Sequence, residues 1–173
     1  MNERRIRFPK TILFVCTGNT CRSVMAQGLF HKMLKDRGKK DIKLASAGTG
    51  ALPGMKPPRE VEDVLGEEGI DVSQHEATRL TTDLIEKADL ILAMDRCHQQ
   101  TILEMSSRAS EKTFLLEEFI SCAGDEFPGI PDPIGESLDT YREIFGKIKR
   151  CLEELLKKVD WYLSALTGRD YHG

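Results

Sequence analysis

The sequence is short of several things, and each shortage excludes a class of function. No apolar run approaches the roughly 20 residues needed to cross a bilayer. The opening residues, MNERRIRFPK, are charged and lack the apolar core of a secretory signal, so a cytoplasmic chain that does not engage membranes is expected. Basic charge is not in excess: 25 Lys and Arg stand against 28 Asp and Glu, a formal net charge of -3. Nucleic-acid binding therefore has no compositional support. The five cysteines show no regular spacing, so neither a disulfide framework nor a zinc site is expected. Repeats and low-complexity tracts are absent. Aromatic residues are scarce, at 6%, with a single tryptophan, Trp161.

What is present is an alternation of strand and helix patterns in 173 residues, a length suited to one domain with a real core. Short apolar runs at 11–15 (TILFV), 42–48 (IKLASAG), 89–94 (DLILAM) and 112–116 (KTFLL) read as buried strands. Helical spacing marks 22–37, with Met25, Ala26, Leu29, Phe30, Met33 and Leu34 on one side and Gly38 as a stop. Further helices are expected at 60–68, after the threonines of LTTDLIEKA, and at 97–106. The last, at 138–166, carries Tyr141, Ile144, Phe145, Ile148, Leu152, Leu155, Leu156 and Val159 on one stripe. Residues 117–137 lack a period and read as one long loop, of a length that is often functional. Strands alternating with helices imply an α/β fold, a single-domain three-layer sandwich whose parallel sheet is flanked by helices. Residues 1–10 are expected to extend from a domain at 11–166, with 167–173 as a tail.

In such sheets ligands bind beyond the carboxyl ends of the strands. At that edge, directly after the first strand, the chain reads ILFVCTGNTCRS. Gly18 and Asn19 tolerate positive φ, so Thr17, Gly18, Asn19, Thr20 and Cys21 can curl with their backbone N–H groups facing one concavity. A nest of amides ending at a helix N-terminus suits a phosphate-sized anion. Arg22 adds a planar clamp for two phosphate oxygens. Cys16 lies at the base, where the positive potential favours thiolate over thiol, and Ser23 is placed to donate a hydrogen bond to its sulfur. A nucleophile beneath a bound phosphoryl group is the outline of a covalent phosphatase site.

The stretch CTGNTCRS resembles the C-x5-R-S signature of the low-molecular-weight protein tyrosine phosphatase family. SAGT (46–49), GIDVSQHEATRLT (69–81), DLILAMD (89–95) and PDP (131–133) follow in the family's order and spacing. Val24 departs from the family's usual proline there, a change of preorganisation in the first helical turn rather than of chemistry. The resemblance implies a four-stranded parallel sheet, a phosphocysteine intermediate and no cofactor or metal. It also implies Asp132 as general acid, with Pro131 and Pro133 restricting the backbone around it. By the same resemblance Ser46 and His75 brace Asn19 in a strained conformation, and Cys21 can trap an oxidised Cys16 as a disulfide. Cys97, Cys122 and Cys151 read as structural or incidental. The partners implied are phosphorylated proteins, and a monomer is expected.

Position 20 bears on the substrate. Threonine there resembles the protein arginine phosphatase branch, where the tyrosine-specific branch carries a bulkier aliphatic residue. The loop at 48–58 holds no aromatic residue to flank a phenol ring, and Ile134 departs from both branches, since tyrosine-specific members place aromatics there and arginine-phosphatase relatives often show DPFG. A cationic guanidine would find Asp132 and Glu136 favourable. Phosphoarginine is the expected substrate, with phosphotyrosine as the alternative. Thioredoxin-coupled arsenate reductases resemble the same loop but need two relay cysteines. Met94-Asp95 stands where the first is expected and only Cys97 is near. A phosphate-binding module without turnover is the non-enzymatic alternative, disfavoured by Cys16, Arg22 and Asp132 occurring together.

Overall fold

In the computed structural model, residues 9–120 and 127–167 are described, with side chains through residue 161. Residues 1–8 of the expected extension at 1–10, residues 168–173 of the expected tail at 167–173, and Cys122 lie outside the described residues.

Four short strands, β1 (Thr11–Cys16), β2 (Lys43–Gly48), β3 (Leu90–Ala93) and β4 (Thr113–Leu115), form one parallel sheet in the order β2-β1-β3-β4. The side-chain period of two splits the core between its faces. Ile12, Phe14, Leu90 and Leu92 point to one side; Leu13, Val15, Ile91 and Ala93 point to the other. The first side is covered by α1 (Arg22–Asp36), α2 (Arg59–Glu67) and α6 (Leu138–Thr167), the second by α3 (Thr82–Lys87) and α4 (Arg96–Met105). Every residue of the stripe expected on the last helix is buried in the first core. Thr81 caps α3 through its side chain, which accepts from the Leu84 N–H at 3.3 Å.

Two differences from the sequence reading have local causes. A 3-10 turn, Ser107–Lys112, precedes β4, and the helix α5 (Leu116–Ile120) follows it directly. A helix of five residues spans little more than one turn, too few to repeat an apolar position, so it left no period. Strand four is correspondingly shorter than KTFLL.

The order 2-1-3-4 makes the chain leave β1 in one direction and return to its other side for β3. The crevice between the ends of β1 and β3 is therefore the switch point where a ligand fits. Cys16 ends β1, and Met94 and Asp95 follow β3 at the same edge.

Candidate active site

The loop from Cys16 to Arg22 is shaped by its neighbours on β2. Cys16 pairs with Gly48, and a Cβ at Gly48 would lie 2.4 Å from the Thr17 carbonyl oxygen. Only glycine lets the loop approach so closely. The pairing runs on past the strand, with Thr49 N–H donating to Cys16 O and Gly50 N–H to Thr17 O, both at 2.9 Å.

Of the two residues expected to tolerate positive φ, Asn19 alone uses it, at +53°. Gly18 stays outside that region, because a single left-handed residue suffices to turn the chain. The strain at Asn19 is held by four contacts on a fully buried residue. Its Nδ2 donates to Ser23 Oγ (2.9 Å) and Ser46 Oγ (2.8 Å), while Oδ1 accepts from the Thr78 N–H (2.8 Å). The Asn19 carbonyl accepts from His75 Nε2 at 2.9 Å. Ser46 Oγ in turn donates to Gln27 Oε1 at 2.6 Å.

These bonds set what the sulfur sees. Because Ser23 Oγ accepts from Asn19, its hydroxyl proton is free to point at Cys16 Sγ, 3.0 Å away. The Asn19 N–H donates to the same sulfur at 3.3 Å. Two donors converge on the sulfur, an arrangement that stabilises negative charge there. Beyond it, helix α1 begins without a side-chain cap, and among the described residues the amides of Gly18, Thr20 and Cys21 have no partner within the chain. That combination meets the requirements of an anion-binding helix end.

Arg22 is 3% exposed and spans the crevice. Its Nη1 donates to Asp95 Oδ2 (3.2 Å) and Ile130 O (2.9 Å); its Nη2 donates to Asp132 Oδ2 (2.5 Å) and Thr17 Oγ1 (3.4 Å). The guanidinium thus ties the loop carrying Asp132 to the ends of β1 and β3. Cys21 lies deeper. Burial pushes its thiol above the ordinary value, against the opposing hydrogen bonds from the Tyr141 and Thr20 hydroxyls at 3.6 and 3.7 Å. Burial likewise raises the Tyr141 hydroxyl, followed by its bond to Cys21.

Several contributors were not singled out as site residues in the sequence: Gln27, Thr78, Asp95, His98 and Tyr141. The Asp95–His98 pair had a readable signal, an acid three residues before a polar side chain at a helix start. The Asp95 carboxylate accepts from the His98 N–H (3.1 Å) and the Asp95 N–H donates to His98 Nδ1 (3.2 Å). The proton of the neutral ring is therefore on Nε2, which donates to Thr17 Oγ1 at 2.8 Å. Glu136, expected near the substrate, is exposed and does not line the crevice; Asp95 lines it instead, as does Cys97.

Burial lowers the His98 pKa below its ordinary value, with the nearby Asp95 charge opposing. A lowered histidine value means the unfolded chain binds this proton more readily. The stability it contributes is present above about pH 6.5 and is lost as pH falls toward the lower folded value. Replacing His98 with glutamine keeps an N–H donor and removes that proton uptake. The melting temperature of His98→Gln relative to wild type should therefore improve between pH 7.5 and pH 5.5. A constant difference between parallel melts would show that His98 does not titrate there.

Known proteins resemble this chain along most of its length. The sequence model of the family described as low molecular weight phosphotyrosine protein phosphatase matches residues 11–164. A protein-arginine-phosphatase of Bacillus subtilis (strain 168) is 36% identical over 148 residues, covering 86% of this chain and 95% of that protein. A probable low molecular weight protein-tyrosine-phosphatase, EpsP, of Ralstonia nicotianae is 35% identical over 150 residues, 87% of this chain and 96% of its own. Among solved structures, a YwlE arginine phosphatase, a cysteine-to-serine mutant with a phosphorylated active-site serine, superposes with a TM-score of 0.80. It is 35% identical and covers 87% of this chain and 95% of that one.

Proposed function

The chain belongs to the low molecular weight phosphotyrosine protein phosphatase family, a family of hydrolases, and we propose that it removes phosphate from phosphoarginine in proteins. The observation that carries the substrate choice is the crevice itself. Its lining brings together the Asp95 carboxylate, the acid Asp132 and the hydroxyls of Thr17, Thr49 and Thr101, with no Phe, Tyr or Trp among the described residues. A guanidinium is cationic and planar and gains from carboxylates; a phenol ring gains from aromatic walls. The arginine phosphatases among the relatives support the same choice, and Thr20 agrees with it. Phosphotyrosine remains the second reading, supported by the tyrosine phosphatases among the relatives. An arsenate-reductase relay gains nothing from the described cysteines, since Cys97 is exposed beside the crevice while Cys151 is buried on α6.

The geometry supports a two-step reaction. The loop amides and Arg22 hold the three peripheral phosphoryl oxygens. The Cys16 thiolate forms a bond to phosphorus as the phosphorus–nitrogen bond breaks, and protonated Asp132 gives its proton to the departing guanidine nitrogen. Water then attacks phosphorus and passes a proton to Asp132. The sulfur–phosphorus bond breaks, inorganic phosphate leaves, and the thiolate and the protonated acid are restored. Charge on the phosphoryl oxygens is met at each step by donors already in place. Ser46 and His75 act through Asn19, and Cys21 serves as a partner for Cys16 under oxidation.

The proposal treats residues 11–166 as one catalytic domain acting as a cytoplasmic monomer on phosphorylated proteins, with no nucleic-acid partner. Among the described residues no helix is long and apolar enough to cross a membrane. The test is turnover of phosphoarginine against phosphotyrosine peptides by wild type and Thr20→Ile. Wild type should prefer phosphoarginine, and Thr20→Ile should move the ratio of kcat/KM values toward phosphotyrosine by about tenfold or more, the scale set by a few methylenes in a pocket. A wild-type preference for phosphotyrosine would overturn the arginine reading and leave the phosphatase intact.

A further inference from the structure

Glu117, on α5, is a carboxylate with 8% exposure outside the site described so far. A charge so placed is expected to be paired and hydrogen-bonded. Its Oε1 lies 2.7 Å from Lys147 Nζ of α6, and its Oε2 accepts from the Gly129 N–H at 2.9 Å. Lys147 Nζ in turn donates to the Gly129 carbonyl at 3.2 Å. Both backbone polar groups of one residue are thus gripped by an ion pair drawn from two helices.

Gly129 suits the grip. Its φ is +89°, and a Cβ there would lie 2.9 Å from both the Asp95 Cβ and the Met94 carbonyl. The backbone is pressed onto the end of β3, where only glycine fits. Ile130 follows, buried, with its N–H donating to Met94 O at 2.7 Å and its carbonyl accepting from Arg22. Pro131 then restricts the chain, and Asp132 comes next. From the gripped residue to the acid there are three steps, each pinned or stiffened.

We propose that Glu117 and Lys147 are positioning residues that hold Gly129 so that Asp132 is presented to the leaving group. The proposal rests on the reading of Asp132 as the general acid. An apolar pair could have filled the same space, whereas this pair supplies an acceptor for the N–H and a donor for the C=O, which fixes direction as well as place. Loosening the grip should cost proton delivery more than phosphate binding, because the amide nest and Cys16 belong to a different loop.

The experiment compares kcat/KM for two aryl phosphates in wild type, Glu117→Gln, Lys147→Met and Asp132→Asn. Phenyl phosphate expels a poor leaving group that needs a proton; p-nitrophenyl phosphate expels a stabilised one that needs little help. Glu117→Gln and Lys147→Met should each lose about tenfold or more on phenyl phosphate and under about threefold on p-nitrophenyl phosphate. That is part of the roughly 10²–10⁴-fold a general acid contributes, and Asp132→Asn should show the same selectivity with a larger loss. Equal losses on both esters, or none, in the two clamp variants while Asp132→Asn remains selective would overturn the clamp alone. A loss in Asp132→Asn equal on both esters would overturn the acid assignment and the clamp with it. Glu117→Gln removes the buried charge and leaves Lys147, the more exposed partner, able to turn to solvent, whereas Lys147→Met strands the carboxylate; Glu117→Gln therefore decides the matter if Lys147→Met does not fold.

Discussion

Replacing Cys16 with serine should abolish turnover while leaving the phosphate site standing. The substitution changes one atom on a residue that is 2% exposed, and the two loop bonds that end on the sulfur, from Ser23 Oγ and the Asn19 N–H, can be accepted by a serine oxygen in its place. Asn19 keeps its ties to Ser23, Ser46, Thr78 and His75, and Arg22 keeps its four contacts. What is lost is the nucleophile: a serine hydroxyl is not ionised where a thiol can be, and among the described residues no histidine or lysine hydrogen-bonds this position to take its proton. The expected fall in kcat is on the order of 10⁵–10⁶-fold, the scale found when a covalent nucleophile is removed. Inorganic phosphate should still raise the melting temperature of Cys16→Ser about as much as that of wild type. Retained turnover would end the covalent mechanism. Loss of phosphate binding along with turnover would mean instead that the sulfur helps hold the loop in shape.

Arg22→Ala should be nearly as damaging, by a different route. Removing one donor to developing phosphoryl charge costs about 10²–10³-fold in rate. Here the same side chain also holds Thr17, Asp95, Ile130 and Asp132, so its loss unties the acid's loop from the nest and leaves two carboxylates at the crevice without their shared cation. A fall in kcat/KM beyond about 10³-fold is therefore expected. Arg22→Lys separates charge from geometry: an ammonium keeps the charge but cannot span both carboxylates and two phosphoryl oxygens with a planar fork. It should recover little of the loss. Wild-type kinetics in Arg22→Lys would show that net charge, not the fork, is what position 22 supplies.

Much of this protein was legible before any coordinate. The strands, the stripe on α6 and the start of α1 follow from apolar spacing, because burial on one face or two imposes a period that the chain must carry. The nest was legible for another reason. Its donors are consecutive backbone amides, so Cys16, Gly18, Asn19 and Arg22 had to appear together in a few residues.

Side chains that meet from distant parts of the chain leave no such trace. Arg22 and Asp95 are 73 positions apart, and Thr17 and His98 are 81 apart. Glu117 reads in sequence as one more surface acid, and Lys147 as the polar side of an amphipathic helix. Glu136 was expected beside the substrate with Asp132, four positions before it, yet the turn after Pro133 carries it out to solvent. The sequence by itself determined the layers and the loop that sets Cys16 beneath a row of amides, because each depends on neighbours along the chain. Only the tertiary structure decided which carboxylates flank Arg22, which proton tautomer His98 holds and what grips the backbone three residues before Asp132. Those depend on how α1, α4, α5 and α6 meet around the end of the sheet, where partners are chosen by distance in space.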